Sequence, residues 1–176
     1  MKLTKLFLVL ASFGALMVAS DSMVLAGPPN AGFTVKASVI SGCSISAQAT
    51  MDFGNYNPLS TTDLSSTGSV SIICTKGASV RIGLTNGANF ASSTNNMKIS
   101  GSGTDLLAYK LYQPDGSTQW SDSEKLDGSI AGLGSILSVT GSGTTATPYS
   151  ITGKLVAGQN VPVGSYSDTV YALVNF

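Results

Sequence analysis

Apolar and polar residues alternate with a period of two in one run after another of this chain. In Phe33 to Val39 the residues Phe33, Val35, Ala37 and Val39 share one side, while Thr34, Lys36 and Ser38 share the other. Side chains alternate faces along a strand, so this pattern predicts strands with one buried face. It recurs in Val80 to Leu84, Leu107 to Tyr112, Tyr149 to Leu155 and Val170 to Phe176. Ser69 to Cys74 is more apolar, with Val70, Ile72 and Cys74 on one face and Ile73 on the other, which predicts a central strand covered on both sides. Asn57-Pro58, Asn86-Gly87, Asp115-Gly116 and Asp127-Gly128 separate these runs. Such pairs tolerate the left-handed or fixed φ values that turns require. The sharpest hairpin predicted is Leu107 to Trp120, turning at Pro114-Asp115-Gly116. Beyond residue 26 no stretch sustains a 3.6-residue apolar period, and the expected fold class is all-β, an antiparallel sandwich or barrel.

The compartment follows from the N-terminus. Lys2 and Lys5 precede an apolar run from Leu6 to Val18, the layout of a signal peptide. At about 13 residues the run is shorter than the roughly 20 that a membrane-spanning helix needs, so stable membrane insertion is not expected. Small residues allow cleavage after Ser20 or after Ala26, and the second leaves an extended Gly27-Pro28-Pro29 start. Residues 1–26 are therefore read as the signal peptide and 27–176 as one domain. Loss of Lys2, Lys5 and Asp21 with the leader leaves seven basic and eight acidic side chains, a net charge of −1. The cations are scattered from Lys36 to Lys154, without the basic stripe that nucleic-acid binding requires.

Cys43 and Cys74 are the two cysteines. In an exported chain such a pair predicts one disulfide. Closing a 31-residue loop stabilises the fold by about 3.5–4 kcal/mol in the chain-entropy treatment.

The chain contains no histidine, which removes Ser-His-Asp and Cys-His catalysis and leaves metals only oxygen ligands. Asp122, Glu124 and Asp127 form the densest carboxylate cluster, but their Ser, Lys and Gly neighbours read as a solvated loop without calcium-loop spacing. Gly141-Ser142-Gly143-Thr144-Thr145-Ala146 fits G-x-G-x-x-A, yet Pro148 and a strand follow where a dinucleotide site needs a helix, so it reads as a loop. Trp120, Tyr109 and Tyr112 read as packing aromatics in preference to a sugar platform. No enzymatic activity, cofactor or metal is expected.

Several segments, in order, resemble the spore coat protein U family, related to the pilins of archaic chaperone–usher pili: Phe33-Thr34-Val35 leading to Cys43-Ser44-Ile45; Asp52-Phe53-Gly54-Asn55-Tyr56-Asn57-Pro58; Ser69 to Cys74; Leu107 to Tyr112; and Val161-Pro162-Val163-Gly164-Ser165-Tyr166 through Phe176. The resemblance implies an immunoglobulin-like sandwich lacking one strand, with an apolar groove awaiting a strand from elsewhere. It also implies three partners: copies of the chain, a periplasmic chaperone and an outer-membrane usher. Phe33, Val35, Ala37 and Val39, within residues 27–39, are the candidate donor strand; the same run would equally serve as the first strand of its own sandwich. The expectation is a structural subunit exported through the periplasm, assembling on the cell or spore surface by β-strand addition. The competing expectation is a monomeric secreted binding module for surface carbohydrate.

Overall fold

The computed structural model describes residues 28–121 and 135–176. The expected signal segment 1–26, the expected cleavage after Ala26 and the Asp122, Glu124 and Asp127 cluster lie outside the described residues. The chain divides into two units, Met1–Ala37 and Ser38–Phe176. Of the first, residues 28–37 are exposed and form no strand.

Among the described residues, the second unit holds nine strands and no helix. They are β1 (Cys43–Ala47), β2 (Leu64–Cys74), β3 (Ser79–Leu84), β4 (Asn95–Ile99), β5 (Leu106–Tyr112), β6 (Leu137–Thr140), β7 (Gly143–Leu155), β8 (Tyr166–Ser167) and β9 (Ala172–Asn175). One sheet has the order β1-β2-β7-β5-β4-β8 and the other β6-β3-β9, with every strand pair antiparallel. The expected all-β sandwich is the architecture observed.

The alternation places the core. Val70, Ile72 and Cys74 of β2, Leu107, Tyr109 and Leu111 of β5, and Ile151 and Leu155 of β7 turn one way from the larger sheet and are buried. Val80, Ile82 and Leu84 of β3 meet them from the smaller sheet. Trp120 is buried between, its indole Nε1 donating to the Ile82 carbonyl at 2.9 Å. That bond satisfies the one polar atom the ring brings into the core.

Cys43 and Cys74 are bonded and lie opposite each other in the β1–β2 register. Beside them the chain crosses twice between sheets, at residues 75–78 and at 141–142. Gly141 N donates to Ala78 O at 2.8 Å, and Gly77 N to Gly141 O at 2.9 Å. A β-carbon on Gly141 would stand 2.3 Å from the Thr75 carbonyl, so the close approach of the crossings requires glycine there.

The structure departs from the sequence reading at four places. Phe33 to Val39 is not a strand, because among the described residues nothing hydrogen-bonds to its backbone. Ile73 is 42% exposed: β2 is paired on both edges, yet its outer face meets solvent. The stretch 143–146 is the start of β7, where the register against β2 shifts between Ile72 and Cys74. Gly87 does not have the positive φ that Asn86-Gly87 suggested; it is small because a β-carbon would fall 1.7 Å from an Asp168 oxygen. The 107–120 hairpin holds, with Gly116 at φ 70° and Trp120 N donating to Leu111 O at 2.8 Å.

Candidate functional site

The two sheets are unequal. With strands about 4.8 Å apart, three span roughly 10 Å between outer strands and six roughly 24 Å, so the smaller sheet cannot cover the inner face of the larger one. The uncovered part is a groove of about 840 Å³.

Its floor is the inner face of β5 and β7, with Leu107, Tyr109, Ile151 and Leu155, and with Leu84 at the end of β3. One wall is the segment that continues from β1, residues 48–56; the other runs from Val161 to Ala172. The first wall rests in a hollow made by two inward-facing glycines. A β-carbon on Gly68 would lie 2.9 Å from Met51 Cε, and one on Gly153 would lie 2.6 Å from both Met51 Sδ and Phe53 Cζ. The missing side chains of β2 and β7 are thus replaced by Met51 and Phe53. Ser66 Oγ donates to Asp52 O and fastens the same stretch.

Hydrogen bonds tie both walls to the floor. Tyr56 Oη donates to Val156 O and accepts from Gln159 N, each at 2.8 Å. The Gln159 amide in turn bonds both backbone groups of Ala108, Oε1 accepting from its N–H and Nε2 donating to its carbonyl, each at 2.8 Å. The side chain thereby continues the ladder of β5 where β7 has ended at Leu155.

A polar knot closes the groove at Asp168. Tyr109 Oη donates to Asp168 Oδ2 at 2.7 Å, and Asn89 donates to Oδ1 from its backbone N at 3.2 Å and from Nδ2 at 3.1 Å. Burial first, and the adjacent carboxylate second, push the Tyr109 phenol far above the usual tyrosine range. It is a fixed hydrogen-bond donor, not an acid at physiological pH.

The edge of β9 bears most directly on what the groove can do. β9 pairs with β3 along Ala172–Leu84 to Asn175–Arg81. Along its other edge no strand pairs with it among the described residues, although β1 lies beside it. A free strand edge next to an apolar cleft is a template for one more strand. Of the two carboxylates lining the groove, Asp168 accepts from Asn89 and Tyr109 and Asp52 accepts from Gly54 N, and no cluster of three metal-ligating side chains occurs among the described residues.

Of the residues singled out in the sequence, Cys43 and Cys74 are brought together. Phe33, Val35 and Val39 are 88%, 81% and 86% exposed, and Ala37 is exposed as well. Trp120 and Tyr109 are core residues, and Tyr112 is on the opposite face of β5 from Tyr109, so the three form no aromatic platform. Sequence reasoning missed the walls. Met51-Asp52-Phe53 alternates, but over too few residues to register as an element, and nothing local marks Gly68 and Gly153 as its seat.

Residues 30–172 match the Spore Coat Protein U domain. The chain belongs to that family. It is 33% identical over 181 aligned positions to Protein U of Myxococcus xanthus, covering 92% of this chain and 96% of that protein. Among solved structures it is similar to the CsuC–CsuE chaperone–tip adhesion subunit pre-assembly complex from the archaic chaperone–usher Csu pili of Acinetobacter baumannii, with a TM-score of 0.54 and 25% identity. That match covers 78% of this chain but 40% of the other. The immunoglobulin-like antiparallel sandwich expected from the sequence is thus the fold observed. Family and fold are those of structural subunits. No helix among the described residues is long and apolar enough to cross a membrane.

Proposed function

We propose that this spore coat protein U family member is an exported structural subunit that polymerises on the cell or spore surface by β-strand addition. The observation that carries the reading is the apolar groove beside the unpaired edge of β9. An open groove with unsatisfied backbone groups is an aggregation hazard unless a strand fills it. The segment Phe33 to Val39 has the right character: seven residues span about 23 Å as a strand, and Phe33, Val35, Ala37 and Val39 form one apolar row.

Insertion is between subunits. Gly42 N donates to Thr75 Oγ1 and Thr75 N to Gly42 O, which anchors the entry to β1 at the disulfide corner. The groove opens past the other end of β1, from Ala47 onward. A head-to-tail contact of this kind does not close on itself and generates a fibre or network. Residues 1–26 direct export, with cleavage after Ala26. A periplasmic chaperone shields the groove before assembly, as the chaperone complex of the Csu subunit suggests, and an outer-membrane usher completes the route.

The test is deletion of residues 27–37 behind the intact leader. Size-exclusion chromatography of the secreted wild-type chain should show a ladder of polymers, and the deletion a folded monomer. An undiminished ladder from the deletion would overturn strand donation by this segment.

A further inference from the structure

The outer face of the six-stranded sheet, which takes no part in the groove, carries an unusual arrangement of charge. Six cations fall among the described residues, Lys36, Lys76, Arg81, Lys98, Lys110 and Lys154. Three of them, Lys98 on β4, Lys110 on β5 and Lys154 on β7, point outward from this one face, since their strand neighbours Met97, Leu111 and Leu155 turn inward. No strand residue of the face is acidic. The carboxylate nearest in sequence to the β2 end, Asp63, accepts from Ala157 N at 3.0 Å at the sheet's margin.

Lys110 and Lys154 are direct cross-strand partners. Side chains so placed have β-carbons about 5 Å apart, and like charges there destabilise the pair. One is steadied locally: the Lys154 ammonium sits 4.7 Å from the centroid of the Tyr112 ring. Around the pair the face carries hydroxyls, with Ser65 opposite Lys154 and Thr67 opposite Thr152.

We propose that this face binds an acidic polysaccharide, the two adjacent ammonium groups taking carboxylates while the neighbouring hydroxyls and Tyr112 meet the sugar ring. Charge complementarity selects an anion, and the hydroxyl rows select a sugar polymer. Nucleic acid calls for a longer cationic track to displace phosphate counterions, and anionic membranes are held by clusters of roughly four to eight basic residues. The inference is independent of strand donation; together they describe a subunit whose fibre would be held in a glycan matrix by a face that polymerisation leaves open.

The experiment measures binding of the full secreted chain to immobilised polygalacturonate and to neutral dextran over a salt series. Retention on polygalacturonate alone, weakening as salt rises, is expected. The double variant Lys110→Gln/Lys154→Gln should lose about tenfold in affinity, each lost contact being a modest exposed ion pair. Lys76→Gln, in the β2–β3 turn, should lose nothing, and Lys110→Arg/Lys154→Arg should retain binding. The single variant Lys110→Gln gives a readout that a folding defect cannot mimic: relief of like-charge repulsion should leave its melting temperature unchanged or raised while binding falls. Equal binding by the double variant, or equal retention on dextran, would overturn the proposal. Vesicles containing anionic lipid and single-stranded DNA complete the series; binding to either as tight as to polygalacturonate, lost in the double variant, would overturn the assignment to polysaccharide.

Discussion

Two segments of this chain carry the same pattern and meet different fates. Tyr149 to Leu155 and Phe33 to Val39 both alternate apolar and polar residues. The first, in β7, is paired on one side with β2 and on the other with β5, and its Ile151 and Leu155 are buried. The second has no strand conformation, and its apolar row stands in solvent. Alternation makes a segment fit to be a strand, but a strand exists only where another backbone satisfies its N–H and C=O groups. The difference between the two is a partner, and β9 has an edge along which no strand pairs among the described residues.

The contrast can be broken from either side. The largest effect expected is on assembly: Val35→Asp in the exposed row should abolish polymers, read by size-exclusion chromatography, while leaving the melting temperature of the monomer unchanged. An equal loss of thermal stability would mean that the segment belongs to the core of its own subunit. On the β7 side, Ile151→Ala empties a packed site and should cost about 2–5 kcal/mol in denaturant unfolding. Removing the disulfide with Cys43→Ser/Cys74→Ser should cost about 3.5 kcal/mol and slacken the corner from which the exposed segment departs. Gly153→Val tests the groove wall itself. The added carbons would meet Met51 and Phe53, so a loss of about 1–3 kcal/mol is expected, accompanied by a disturbed groove and slower polymerisation.

The smallest effect lies in the 113–118 turn, where protonation is the probe. Thr118, through its hydroxyl and its backbone N–H, and then Ser117 N–H, hold the Asp115 carboxyl down to about 2. A carboxyl whose folded value is depressed stabilises above its ordinary value, near 4, and loses that contribution as pH falls through about 2. Carbon-detected NMR of the Asp115 side chain should place its midpoint near 2. An unshifted midpoint would mean that this turn is as loose as the exposed segment.

How much of this was legible in the sequence divides along the same line. The runs at 80–84, 107–112 and 149–155 each became strands, because their alternating pattern and flanking turns agree locally. The disulfide was legible from an isolated cysteine pair in a chain whose N-terminus reads as an export signal. The walls of the groove were not. Met51 and Phe53 matter only because Gly68 and Gly153, distant in sequence, leave room for them, and the Gln159–Ala108 and Tyr109–Asp168 bonds join residues 51 and 59 positions apart.

What the sequence by itself determined is the class of fold and the absence of histidine chemistry: period-two patterning and composition are local properties that survive without a third dimension. Only the tertiary structure decided that, among the described residues, the sheets hold six and three strands, one edge of β9 has no paired strand, and three lysines share a face. Those facts depend on which strands lie side by side, and neighbourhood across a sheet is set by packing between distant segments, not by any residue's immediate sequence.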